Sequence, residues 1–579
     1  MNGKLTAVGT GVSPMGHMHI VWSDLGVRAT VRLLGALAVV LVVPVCVAAP
    51  GQPIECAKLA ALAVPAAQIV SAEMVVGGNY VAKRESGARI TYSGLPEFCE
   101  VRGIAMPVRN SRIGFTVWLP LASQWSGRLH MVGNGGYSSD IYYEPLVARI
   151  RRGEVAVATD TGHAGGALTF GQNNPEAIVD WGNRAVHESV VAAKSIVAAF
   201  YGRAQRYAYF SGSSTGGHQA LMVAQRHPED FDGIIAGAPG NNRTNLNLSF
   251  LWEFVHNHRP GDNSQQIVPN GKLALVHTAV LKSCDHHDGV SDGVINDPRE
   301  CRFDLATLRC PRAETLDCLT SEQIVTLQAI YQGPRDARTG KQIYPGFPFG
   351  SEGTIYGDPS HPGWSNFWAD PDDPTKPQRV DFFRHWVFND ANWDWWKFNW
   401  GSDVDSVTAA MGAVLNATDP DLSKFRARGG KLIMFIGWND PVGSAFEAIN
   451  YYETVVARGE GRDGPAKLAA TQKFARLYVV PGMSHTATGP GATYFSNATR
   501  DSAPPVDDSR HDMGLALLDW VEKGIAPGDL IGTHFSEGSG PTGKVQFQRP
   551  VCVYQDAAIP WRRYQRCCQL RVRSTASGR

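Results

Sequence analysis

Short apolar runs that stop at glycine-rich turns recur along this chain, and they restrict its fold more than any other feature. Leu129-His130-Met131-Val132 runs into Gly133-Asn134-Gly135-Gly136, and Val155-Ala156-Val157-Ala158 into Thr159-Asp160-Thr161-Gly162. Tyr207-Ala208-Tyr209-Phe210, Gly233-Ile234-Ile235-Ala236-Gly237 and Leu432-Ile433-Met434-Phe435-Ile436 continue the series. A segment from Ala185 to Tyr201, with Val186, Val190, Val191, Ile196 and Val197, has helical periodicity. Buried strands alternating with helices predict a parallel sheet covered on both faces. The alternation breaks at 245–415, where Trp, Pro, Asp and Cys become frequent, and resumes at Gly430-Lys431. The expected organisation is one α/β domain in two parts, 50–244 and 416–579, interrupted by a large lid at 245–415.

The 54 Lys and Arg residues balance 54 Asp and Glu, so the chain lacks the basic field that nucleic acid or an anionic membrane would require. A hydrophobic share of 43% with 15 Trp supports a large core and excludes a disordered chain. Near the start, Arg28 and Arg32 precede the apolar run Leu33–Val43, which ends in Val47-Ala48-Ala49-Pro50. These are the regions of a secretory signal, expected at 1–49 and too short to span a bilayer comfortably. The mature protein is therefore expected to be secreted or periplasmic, with no stable membrane association after cleavage. Nine of the 10 cysteines then remain, and their short spacings in an exported chain predict disulfides.

Chemistry concentrates at Gly212-Ser213-Ser214-Thr215-Gly216, which fits G-x-S-x-G. An apolar run precedes it and a helical stretch (Ala220, Leu221, Val223, Ala224) follows, the setting in which a strained turn lifts a serine hydroxyl above a sheet. Ser214 needs a base, and the base needs a carboxylate to orient it. In α/β-hydrolases these follow in the order Ser, Asp or Glu, His. Asp440, after Ile436-Gly437-Trp438-Asn439, and His485, after Tyr478–Ser484, stand in that order, each just beyond an apolar run. The amide of Thr215 and one from the Gly133–Gly136 turn are candidates for an oxyanion hole, with Gly136 the preferred glycine.

From about Cys99 to Cys552 the chain resembles the tannase and feruloyl esterase family of secreted α/β-hydrolases, which includes terephthalate-monoester hydrolases. The resemblance rests on Trp118-Leu119-Pro120, Trp125-Ser126-Gly127-Arg128, Gly133-Asn134-Gly135-Gly136, Asp160-Thr161-Gly162-His163 and Arg184-Ala185-Val186-His187. It continues through Ser214-Thr215-Gly216-Gly217, Phe231-Asp232-Gly233-Ile234, Gly437-Trp438-Asn439-Asp440-Pro441 and Trp520-Val521-Glu522-Lys523-Gly524. It implies an α/β-hydrolase fold with a large inserted lid domain, and a catalytic triad of Ser214, Asp440 and His485. It also implies a structural calcium in the lid and no organic cofactor. Asp285, Asp288 and Asp292, with the carbonyls of Val290 and Val294, offer the oxygen-only shell that a hard cation takes.

Most of the family carries a cysteine before the nucleophile and another after the catalytic histidine; here those positions are Ser213 and Thr486. The remaining cysteines are expected to pair as Cys56–Cys99, Cys284–Cys301 and Cys310–Cys318, with Cys552 joining Cys567 or Cys568. The implied activity is that of a serine carboxylesterase acting on a small aromatic ester of feruloyl or galloyl type, free or attached to a polysaccharide or polyphenol. The aromatic stretch Phe382, Phe383, Trp386, Phe388, Trp393, Trp395 and Trp396 would suit such an acyl group, or would serve as lid core. The alternatives are a hydrolase of terephthalate monoesters or other aryl esters, and a catalytically silent secreted binding protein.

Overall fold

The computed structural model of the protein describes residues 52–354, 361–495, 506–536 and 544–555. The expected signal at 1–49 lies outside these residues, as do Cys567 and Cys568. Nine strands form the main sheet: β1 (Ala67–Val75), β2 (Phe98–Ala105), β3 (Ile113–Pro120), β4 (Arg128–Val132), β5 (Val155–Thr159), β6 (Tyr207–Ser213), β7 (Gly233–Gly237), β8 (Lys431–Gly437) and β9 (Ala475–Val480). Their spatial order is β1-β2-β3-β5-β4-β6-β7-β8-β9. From β5 to β9 every neighbouring pair is parallel, and the five apolar runs read from the sequence are all strands of this part. The prediction of a parallel sheet was incomplete, because β1, β2 and β3 add an antiparallel edge. Strands β1 and β2 alternate buried with more exposed residues, so neither reads as a continuous apolar run.

Helices cover both faces. Strand side chains Leu129, Met131, Val157, Phe210, Ile234, Met434 and Leu477 pack against α2 (Ala185–Tyr201), α3 (Thr215–Arg226) and α7 (Ala445–Ala457). The alternate residues Tyr209, Ile235, Ile433, Phe435 and Tyr478 meet α8 (Met513–Lys523), while Trp118, Ala156 and Ala158 meet α1 (Tyr143–Arg151). Period-2 alternation along each strand thus feeds two separate cores. The helix read over Ala185 to Tyr201 is α2, and it ends at Gly202, whose φ of 69° closes it in the left-handed region.

Between β7 and β8 the chain leaves the sheet. Helix α4 (Arg243–Asn257) begins just before the expected lid boundary; α5 (Gly271–Cys284) and α6 (Ser321–Gln332) follow. This stretch has a core of its own built on Trp364 and Trp368, and a second, on Phe382, Phe383, Trp386 and Trp395, that it shares with Tyr137, Leu168, Ile178 and Trp181. The expected pairs Cys56–Cys99, Cys284–Cys301 and Cys310–Cys318 are disulfides. Among the described residues no helix is long and apolar enough to cross a membrane.

Candidate active site

Ser214 stands between the end of β6 and the first residue of α3, with φ 61° and ψ −122°. A non-glycine residue tolerates that conformation only where its surroundings enforce it. Here Ser214 N donates to Gly237 O of the neighbouring strand (2.9 Å), and its carbonyl accepts from His218 N (3.0 Å), so the turn is held from both sides. The tightness of the turn explains its glycines: a Cβ on Gly212 would lie 2.4 Å from the carbonyl carbon of Gly216.

Asp440 follows β8 and His485 follows β9, and both are buried, at 1% and 6% exposure. His485 Nδ1 donates to Asp440 Oδ2 at 2.7 Å. The other carboxylate oxygen accepts from Val442 N (2.8 Å) and Gly443 N (3.3 Å), which fixes the orientation of the acid. Because β6, β7, β8 and β9 run parallel side by side, the turns after β6, β8 and β9 emerge at one edge of the sheet. Ser214, Asp440 and His485 accordingly line one pocket. The oxyanion candidates also come together, since Thr215 Oγ1 donates to Gly136 O at 2.6 Å, and Gly136 holds a φ of 56°.

The pocket contains two cations that sequence reasoning missed, Arg243 and Arg379, together with the buried Glu447. One signal for Arg243 was available: it opens a helix, where the macrodipole disfavours a positive charge. Burial raises the carboxyl of Glu447 above its usual range, although it accepts from the Tyr344 hydroxyl and from Asn242 N. The aromatic stretch is chiefly core. Phe382, Phe383 and Trp386 are buried, and none of its seven members lines the Ser214 pocket.

The acidic loop in the inserted stretch begins with a turn over Asp285–Asp288. Asp285 accepts from Gly293 N (3.0 Å), Asp288 Oδ1 from Val290 N (2.9 Å) and Asp292 Oδ1 from Val294 N (3.2 Å). Asp288 Oδ2 is buried without a hydrogen-bond partner, and Arg549 forms an ion pair with Asp292. The orphaned buried oxygen of Asp288 is a donor of the kind a hard cation takes, although among the described residues the oxygens of the three acids do not gather at one point.

The sheet order, the strand–serine–helix turn and the later acid and histidine define an α/β-hydrolase. The family model described as tannase and feruloyl esterase matches residues 99–566. An uncharacterized esterase of Xanthomonas campestris is 37% identical over 92% of both chains. A probable feruloyl esterase B-1 of Aspergillus terreus is 30% identical over 85% of this chain and 89% of its own. The crystal structure of feruloyl esterase B from Aspergillus oryzae superposes with a TM-score of 0.76 at 28% identity, covering 86% of this chain and 94% of that one. The chain belongs to the tannase and feruloyl esterase family and is a carboxylic ester hydrolase.

Proposed function

We propose that the protein is an exported serine carboxylesterase that cleaves esters of aromatic acids through an acyl-enzyme, with Ser214 as nucleophile. The observation that carries this reading is the 2.7 Å bond from His485 to the buried, doubly anchored Asp440, in the same pocket as a serine held on a left-handed turn. His485 Nε2 takes the Ser214 proton as Oγ bonds to the ester carbonyl carbon and the carbonyl π electrons move to oxygen. The Thr215 and Gly136 amides stabilise that oxyanion. Its collapse breaks the carbon–oxygen bond to the alcohol, which leaves with the proton from His485. Water then repeats the sequence on the acyl-enzyme and releases the acid.

The names of the relatives support feruloyl-type substrates, and the disulfides together with the apolar N-terminal run support export. The stretch 245–415 is read as a lid over the pocket. Asp285, Asp288 and Asp292, with the carbonyls of Val290 and Val294, would hold a structural calcium. A bound cation there would tie the acidic loop together and take no part in the chemistry. Dialysis against a chelator is expected to lower the melting temperature, and calcium to restore it. An unchanged melting curve with no calcium by elemental analysis would remove the site.

The activity is tested by following acid release from methyl ferulate and methyl gallate, with a 4-nitrophenyl ester for the burst of an acyl-enzyme. Purified folded protein that hydrolyses none of the three would overturn the reading.

A further inference from the structure

The turn that carries Gly136 is held by side chains, because no regular element runs through it. Between the end of β4 at Val132 and the start of α1 at Tyr143 the chain has neither helix nor strand. Gly136 N donates to no acceptor among the described residues, and a Cβ on Gly136 would meet nothing within 4 Å. The amide is therefore open to a developing charge, and its direction depends on what fixes the turn around it.

The first half of the turn is fixed from the sheet and the nucleophile helix. Asn134 N donates to Gln219 Oε1 (3.0 Å), Asn134 Nδ2 to Thr159 O (2.8 Å) and Thr215 Oγ1 to Gly136 O (2.6 Å). Beyond Gly136, Tyr137 O accepts from His163 Nε2 (2.8 Å) and Gly165 O from Ser139 N (3.2 Å). The second half also meets a hairpin from an earlier part of the chain. Its strands Asn79–Lys83 and Arg89–Ser93 pair antiparallel, and Tyr80 seats them on Trp118 and Tyr143 at ring distances of 4.6 and 5.6 Å. The tip is closed by Arg84 N on Ala88 O (2.8 Å), with Gly87 in the left-handed region at a φ of 84°. From that tip Arg84 Nε donates to Asp140 Oδ2 at 2.6 Å, and Glu85 N to Asp140 Oδ1 at 3.1 Å. Glu85 Oε1 accepts from Ser139 Oγ and Gly165 N, and Glu85 Oε2 from Ser138 Oγ at 3.4 Å. Three successive residues of the turn are thus tied to two of the tip. Bonds at an exposed carboxylate add little to stability, so their convergence on this one turn bears on position instead.

We infer that Arg84 and Glu85 are positioning residues: the hairpin tip clamps Ser138-Ser139-Asp140 and thereby aims the Gly136 amide at the oxyanion. Neither residue lines the Ser214 pocket, so each acts through the turn. This rests on the reading of Gly136 as an oxyanion donor in an esterase, and the test separates the two. Removing one oxyanion donor costs about 10²- to 10³-fold in kcat, and a donor displaced but not removed should cost less.

Glu85→Ala is the informative variant, because Glu85 is exposed and its loss should leave the melting temperature within about 2 °C. Active sites are counted by the 4-nitrophenol released in stoichiometric reaction with diethyl 4-nitrophenyl phosphate. Per site, kcat on methyl ferulate is expected to fall about tenfold with KM within about twofold. Glu85→Gln, which keeps one acceptor oxygen, should recover part of the loss, whereas a folding defect would lower the number of sites instead. Hydrogen exchange reads the clamp without turnover. The Ser138 and Ser139 amides, bonded to Gly135 O and Gly165 O, should exchange about tenfold faster in Glu85→Ala. A fall in kcat per site under about threefold, or a loss carried by KM, overturns the assignment and leaves the esterase intact. If the wild type cleaves no ester, the esterase reading fails and exchange alone decides the clamp. Unchanged exchange overturns it in either case.

Discussion

Two groupings of serine, histidine and carboxylate stand close together in this protein, and only one has the setting of an active site. In the first, Ser214 on its strained turn shares a pocket with His485 and Asp440. In the second, Ser211, three residues earlier on β6, shares a 2.7 Å hydrogen bond with His130 Nε2, and His130 Nδ1 lies 3.3 Å from Glu154. The second grouping is at least as well buried, at 5%, 1% and 0% exposure, and Arg149 approaches Glu154 to 3.7 Å. Ser211, however, sits in regular strand paired to Val132, and neither it nor its two partners lines the Ser214 pocket. Burial pushes His130 down to about 4, with the charge of Arg149 helping, so its imidazole resists the very proton a general base must accept. The constellation is therefore not the distinguishing feature. What differs is access to a pocket and a backbone turn that delivers the hydroxyl above the sheet.

The largest contrast should appear in turnover. Ser214→Ala is expected to lower kcat/KM by at least about 10⁴-fold while the protein stays folded. A variant that keeps more than a tenth of the activity would remove Ser214 from the nucleophile role. Asp440→Asn is expected to cost about 10³- to 10⁴-fold in kcat, because the amide no longer enforces the tautomer of His485. Glu154→Gln, its counterpart, should leave kcat within about threefold and appear instead in the unfolding midpoint, since it disturbs a buried charge. Equal losses of kcat in the two variants would dissolve the distinction between the groupings.

The Ser214 grouping was legible in the sequence and the His130 grouping was not, for a physical reason. Ser214, Asp440 and His485 each follow an apolar run, and a parallel sheet forces the turns after neighbouring strands to one edge. Chain order alone could therefore bring them together. His130 lies inside one such run and Ser211 directly after another but still within its strand, where a polar residue marks neither a turn nor a helix start. Their contact depends on the pairing of β4 with β6, strands far apart in sequence. Arg243 escaped because a single arginine matches no catalytic motif, and its one signal, a place at the positive end of a helix, is weak. Strands β1 and β2 of the antiparallel edge escaped because alternating strands carry a weaker apolar signal than buried ones.

The next expected effect is in the acid limb of stability. His130 falls from its usual 6.5 to about 4 on folding, so the unfolded chain binds a proton in that window that the native protein refuses. Stability from this residue is complete above pH 6.5 and is lost progressively as the pH falls towards 4, by about 3 kcal/mol in all. Asp160 acts in the opposite sense. Burial raises its carboxyl to about 7, so its contribution is present at low pH and declines as the pH rises through that same range. The wild-type curve alone can therefore look flat, and the informative quantity is its difference from His130→Gln. Urea midpoints at pH 4.5, 5.5 and 7 should diverge, with the wild type losing more on acidification. Parallel curves would mean that His130 titrates alike in the folded and unfolded protein.

The smallest effect tests the silent serine itself. Ser211→Ala removes one partner of the 2.7 Å bond and leaves His130 Nε2 in a buried site, where it cannot turn to water. The loss expected in unfolding free energy is about 1 kcal/mol, rising towards the cost of an unsatisfied buried nitrogen if no neighbour shifts to meet it. Turnover of a 4-nitrophenyl ester should stay within about twofold of wild type, because Ser211 lies in regular strand and the turn at Ser214 is held by Gly237 and His218 instead. Ser211→Thr, which keeps the hydroxyl, should recover part of the stability and leave turnover alone. The comparison breaks if Ser211→Ala loses activity while its melting curve is unchanged. A hydroxyl with no structural weight but a catalytic effect would have to act through the strand on Ser214, and the two groupings would then be one functional unit.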